Sequence, residues 1–134
     1  MVMKKNVSAK KIATSKKKRN ILMGLISIQA TFNNTIVSVS DLQGNVISWS
    51  SAGKMGSKGS KKSTPYAAQV ATTDAVEKAK EYGLQTAKVN LFGPGVGREA
   101  SLRVLQGSNI IITNIEDKTY HPHNGCRPPK RRRQ

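Results

Sequence analysis

The chain has 134 residues, enough for one domain with a real core, and carries a formal net charge of +16 at pH 7 with a pI near 10.4. Such self-repulsion points to a polyanionic partner, nucleic acid before membrane: no apolar run approaches the roughly 18 residues of a spanning helix, and the basic stretches lack the large interleaved apolar residues of an interfacial helix. A single cysteine excludes an intramolecular disulfide and fits a reducing compartment.

Residues 1–20, MVMKKNVSAKKIATSKKKRN, hold eight cations and no acid and are expected to form a basic extension, disordered in isolation. They also have the acid-free, Ser- and Thr-containing character of an organelle transit peptide, although they are rich in Lys rather than Arg. A secretory signal fits worse, because no apolar segment precedes a small-residue cleavage site. From Ile21 the pattern turns to strands: ILMGLISIQA, TIVSVSD and NVISWSS alternate apolar and small polar residues and favour β-branched types. FNN and DLQGN separate them, and Gly44 can take the positive φ of a short bulged hairpin. An antiparallel three-stranded meander follows.

The loop AGKMGSKGSKKS (52–63) is built almost wholly from Gly, Ser and Lys. Thr64 then caps a helix with Pro65 at its first position. Ala68, Ala71, Ala75, Ala79 and Tyr82 share one face at spacings of three and four, and Gly83 ends the helix. TAKVNLF (86–92) reads as a strand, GPGVG as a turn, REASLRVLQ (98–106) as a helix and NIIITNIED as a last strand. A strand–helix–strand unit crosses over right-handed and makes its strands parallel. The expected fold class is therefore α/β: a five-stranded mixed sheet, meander plus one β-α-β crossover, with flanking helices. Its division is a basic extension (1–20), a single α/β domain (21–118) and a basic tail (119–134).

Charge follows the same division. Residues 1–62 hold twelve Lys or Arg against Asp41 alone, 63–118 hold six cations and six acids, and the tail adds five cations and no acid. A neutral block flanked by cationic segments is the pattern of a folded body with polyanion-binding extensions.

Several stretches invite chemistry. GPGVGRE (93–99) lies between a strand and a helix, but Arg98 stands where a dinucleotide fingerprint needs its third glycine, and the rest of a nucleotide-binding sheet is missing. A helix N-terminus with nearby glycines and a cation still suits a phosphate; the alternative is a tight turn that needs glycine for its dihedrals alone. GKMGSKGSKKS fits no register of a Walker A loop, because a lysine stands where the second glycine is required. Its lysines instead suit phosphate tracking, with a merely solvated charge run as the alternative. His121, His123 and Cys126 offer three donors but no fourth ligand, so no metal or other cofactor is expected. The acids cluster on the first helix instead of converging from strand ends, which argues against a metal-dependent nuclease. With six aromatics and no aromatic pair on one strand, a base-stacking platform is excluded. What remains is binding of sugar–phosphate and folded RNA by loops and tail. KRRR (130–133) also matches a nuclear import signal, a frequent coincidence in basic chains, and Asn124–Gly125 is a candidate for deamidation.

IQATFNNTI (28–36), SWSSAG (48–53), TPYAAQ (64–69), GPGVGRE (93–99) and PHNGCRPPKRRR (122–133) occur in order and resemble the bacterial-type small-subunit ribosomal protein eleven family. The resemblance implies a ribonuclease H-like fold, no enzymatic activity, and a structural role in the ribosome of a bacterial cytoplasm or an organelle interior. It implies binding to small-subunit rRNA on the platform, with mRNA nearby at the exit path and the Shine–Dalgarno helix. Small-subunit proteins seven, eighteen and twenty-one would be neighbours, and no membrane would be involved. Carried over by position, the rRNA-binding residues are Lys54, Lys58, Lys61 and Lys62 in the loop, Gly95 and Arg98 at the second helix, and Asn124, Arg127, Lys130, Arg131, Arg132 and Arg133 in the tail.

Overall fold

The computed structural model describes residues 20–133, so the expectation for the N-terminal extension lies almost wholly outside the described residues. Period-two alternation builds β1 (Met23–Ala30), β2 (Thr35–Asp41) and β3 (Val46–Ser51). β1 pairs antiparallel with β2, Gly24 opposite Asp41 and Ala30 opposite Thr35, and β2 pairs antiparallel with β3. The second hairpin closes on Asp41, whose carboxylate accepts from the amides of Gln43 (3.0 Å) and Asn45 (2.9 Å), while Gly44 takes a φ of 98°. The expected bulge appears as a register shift beside Val39 and Ser40.

β4 (Thr86–Phe92) runs parallel to β1, and β5 (Ile111–Asp117) runs parallel to β4, giving the order β3-β2-β1-β4-β5. This is the mixed five-stranded α/β sheet that the strand pattern and the resemblance both lead one to expect. The two helices are α1 (Pro65–Lys80) and α2 (Gly97–Gly107). α1 packs on β2 and β3, and α2 packs on α1 and reaches β1.

Alternate residues of the strands supply the core beneath the helices. Ile26 and Ile28, Val37 and Val39, and Val89 are wholly buried there, joined by Leu105 of α2. Each contributes about 1.5–3 kcal/mol by leaving water. Ala68, Ala71, Ala75 and Ala79 form the buried face of α1, as expected, and their small side chains bring the helix close to the sheet. The Ser48 hydroxyl crosses that gap to donate to the Ala75 carbonyl at 2.9 Å. Thr72 and Ser101 join α1 to α2 through their hydroxyls, 2.8 Å apart. The α1 N-terminus is capped as expected, with the Thr64 hydroxyl accepting from the Ala67 amide and Pro65 in the first turn.

Three details differ from the sequence reading. α1 stops at Lys80, which leaves Tyr82 in the following turn, where Gly83 has a φ of 85°. α2 starts one residue early, at Gly97, a glycine whose missing side chain lets it lie directly against Thr35 and Ala68. The Gly-Ser-Lys loop contains a short 3-10 helix, Gly59–Ser63, that feeds into the Thr64 cap.

Candidate nucleic-acid interface

The GPGVGRE turn leaves β4 at its C-terminal end, where a phosphate site was a candidate. Its glycines are used for close approach to the chain's own backbone. A Cβ at Gly93 would collide with the Ala30 carbonyl oxygen, and one at Gly95 with the Thr31 carbonyl oxygen. The Gly95 amide instead donates to Ala30 O at 2.8 Å, and the residue is buried. At Gly95 steric room, not dihedral freedom, is what requires glycine, while Gly93 also takes a φ of 91°.

Arg98 has partners inside the fold. Its guanidinium donates to the Gly93 carbonyl (3.2 Å) and to the Asp117 carboxylate (2.7 Å), with the side chain 27% exposed. Asp117 also accepts from the Thr119 hydroxyl (2.6 Å) and amide (3.0 Å), and that hydroxyl accepts from the Gly93 amide at 3.1 Å. The Thr119 hydroxyl, then the Arg98 guanidinium and the Thr119 amide, hold the Asp117 carboxyl well below the usual carboxylate range. Together these bonds clasp the root of the C-terminal tail to the turn before α2.

The loop lysines divide. Lys54 lies over the Trp49 ring, 4.6 Å from its centroid, with its ammonium 3.9 Å from Asp74. Asp74 in turn bonds Lys78 at 2.9 Å, one helical turn along α1. The Lys78 ammonium pushes the pKa of Lys54 below the ordinary lysine value, while Asp74 raises that of Lys78. Lys58 and Lys61 are exposed and Lys62 half-exposed, and among the described residues none of the three has a carboxylate partner.

Residues 120–133 are exposed throughout and leave the body without regular structure. Asn124 (φ 76°) and Gly125 (φ 44°) place a sharp bend in the tail, in a backbone region that Asn and Gly tolerate best. Arg127, Lys130, Arg131, Arg132 and Arg133 follow, and among the described residues none pairs with an acid. His121, His123 and Cys126 are exposed, and no three potential metal donors among the described residues are placed to hold one ion. Nor is any helix there long and apolar enough to cross a membrane.

The arrangement offers exposed cationic side chains without acids on a loop and an irregular tail rooted in the folded body. That can bind a polyanion through its phosphates. Sequence reasoning missed the clasp and the contact of Lys54 with Asp74. Asp117-x-Thr119 after a strand is a local turn signal that could have marked the first; Lys54 depends on Asp74, twenty residues away, which spacing does not reveal.

Two comparisons bear on the family of the chain. The family model described as ribosomal protein S11 matches residues 24–133. A curated relative, the small ribosomal subunit protein uS11 of Methylobacterium radiotolerans, is 57% identical over 118 residues, covering 88% of this chain and 92% of the relative.

Proposed function

This chain belongs to the ribosomal protein S11 family, and on that premise we propose that, as a structural and non-enzymatic constituent of the small ribosomal subunit, it holds small-subunit rRNA with its loop and its tail. The observation that carries this reading is the split among its cations. Lys58, Lys61 and Lys62, with Arg127, Lys130, Arg131, Arg132 and Arg133, stand exposed or half-exposed without acids, whereas of the body's cations Lys54, Lys78, Arg98 and Lys118 have carboxylates and Lys80, Lys88 and Arg103 are exposed without one among the described residues. Unneutralised charge held on exposed backbone is matched by RNA phosphate, which releases its counterions on contact.

The tail follows phosphates between rRNA segments, extended by Pro128 and Pro129 and bent at Asn124–Gly125. Gly95 and Arg98 belong to the interface by shaping the turn where the tail is rooted, and Lys54 by fixing the start of the loop. The site lies on the subunit platform by the mRNA exit path and the Shine–Dalgarno helix, with small-subunit proteins seven, eighteen and twenty-one as neighbours. The compartment is a bacterial cytoplasm or an organelle interior.

Gradient sedimentation tests the reading. The full chain is expected to co-sediment with small subunits, and a chain lacking residues 122–134 is expected to fold and yet enter subunits poorly. Incorporation of the truncated chain at the full-length level would contradict the role given to the tail.

A further inference from the structure

The last acid of the chain, Asp117, stands at the end of β5, where the cationic tail begins. Beside a segment that takes phosphate a carboxylate is unfavourable by charge, so its presence there needs another cause. Its two oxygens serve different partners: Oδ1 accepts from the Thr119 hydroxyl and amide, and Oδ2 accepts from the Arg98 guanidinium in the first turn of α2. The Thr119 hydroxyl accepts in turn from the Gly93 amide, and the Gly93 carbonyl accepts from Arg98, so both backbone polar groups of Gly93 are used. Gly93 is itself held against the Ala30 carbonyl at the end of β1. The Lys118 amide donates to the Leu91 carbonyl at 2.8 Å and carries the β4–β5 pairing one residue past Asp117. Residues 120–133 are exposed, which leaves Thr119 as the last described residue that ties the tail to the body.

We infer that Asp117 and Thr119 are positioning residues for RNA binding: they touch no phosphate themselves and fix the direction in which residues 120–133 leave the body. The inference deepens the proposed function and rests on it. The tail root is tied to the turn at Gly93, to α2 through Arg98 and to β4 through Leu91. A root fixed by all three starts the tail in one direction. Once released, Lys118 and Thr119 would have to be ordered again at every binding event, and that entropy is lost from affinity. Arg98 also offsets the charge of Asp117, which lessens its repulsion of a nearby phosphate. Thr119 carries no charge, so loss of its hydroxyl alters the geometry of the root and leaves the Coulomb attraction as it was. The phosphates met by the tail stay the same in number; only the free energy of reaching them changes.

The test is filter binding of the full chain to a transcript of small-subunit rRNA across a salt series. Thr119→Val keeps the β-branched shape and removes the hydroxyl. It is expected to weaken binding about tenfold, the scale of ordering one further backbone residue, with the log–log salt slope unchanged because every cation remains. Thr119→Ser, which keeps the hydroxyl, is expected to bind like the parent. Asp117→Ala removes a negative charge, so charge alone would tighten binding; the positioning role predicts about fivefold weakening instead. Thr119→Val is also placed in a full-length chain whose tail is discharged by Arg127→Ala, Lys130→Ala, Arg131→Ala, Arg132→Ala and Arg133→Ala. There its effect is expected to shrink below about twofold, whereas damage to the body would weaken both backgrounds alike. Unchanged affinity for Thr119→Val, a loss as large for Thr119→Ser, tighter binding by Asp117→Ala, or an equal loss in both backgrounds overturns the inference. If the chain with the discharged tail binds as tightly as the parent, the role given to the tail itself falls, and this inference with it.

Discussion

Lys54 and Lys62 sit eight residues apart in one loop and have opposite fates. Lys54 is stacked on Trp49 and drawn toward Asp74, while Lys62 has no acid among the described residues. Arg98 and Arg131 repeat the contrast at larger scale, the first bound to Asp117 and the second free on the tail. Counting cations therefore does not distinguish those paired inside the fold from those left to a partner. Lys54, Lys78, Arg98 and Lys118 meet an acid; most of the others among the described residues lie on the loop and the tail, with Lys80, Lys88 and Arg103 on the body.

The largest expected effect separates these two groups by salt. If loop and tail together neutralise some 6–10 phosphates, rRNA affinity falls roughly 10³–10⁵-fold between 50 and 200 mM salt. Deleting residues 122–134 should remove up to about five contacts and flatten the log–log salt slope by about 3–5, with the thermal midpoint of the body unchanged. Equal slopes for the two chains in a filter-binding titration would erase the distinction.

Next comes the converse change, one confined to the body. Ile28→Ala empties a wholly buried site in the central strand and should cost about 2–5 kcal/mol in urea unfolding, with the salt slope of the folded protein untouched. Gly95→Val forces a side chain into the Thr31 and Ala30 backbone and should cost about 1–3 kcal/mol or more, while also displacing the root of the tail. Retention of wild-type stability by either variant would show that the packing described here is not what holds the sheet.

The clasp gives a smaller effect. Because the folded pKa of Asp117 is depressed, its contribution is full above the ordinary aspartate range and is lost progressively as pH falls from there to the lowered folded value. Carboxyl carbon shifts should show Asp117 still ionised at about pH 3, where an ordinary aspartate is mostly protonated. Titration near the ordinary value would mean that the bonds to Arg98 and Thr119 do not persist in solution. The smallest effect returns to the loop. Lys62→Ala should lower the salt slope by about 0.7–0.9, one phosphate contact, and Lys54→Ala by less.

Local physics made most of the fold legible. Period-two alternation marked the meander, Thr64–Pro65 marked the start of α1, the alanine spacing marked its buried face, and Gly44 marked the bulged turn. Strand order was less accessible. That β4 lies beside β1 follows from burial of Ile26, Ile28, Val89 and Leu91 under the same helices, a contact between segments some sixty residues apart. The tail and loop were visible as charge without acids. What composition could not show was pairing: Arg98 also meets Asp117, nineteen residues on, which the parallel crossover brings to it.

The most direct measurement is backbone ¹⁵N relaxation across the full chain, free and with a small-subunit rRNA fragment. Order parameters for residues 122–133 should lie below about 0.6 without RNA and rise toward the ~0.85 of rigid backbone when RNA is added at low salt, while the sheet stays rigid throughout. A tail already as rigid as the sheet in RNA-free protein at high salt would contradict the division between a self-sufficient body and polyanion-dependent extensions.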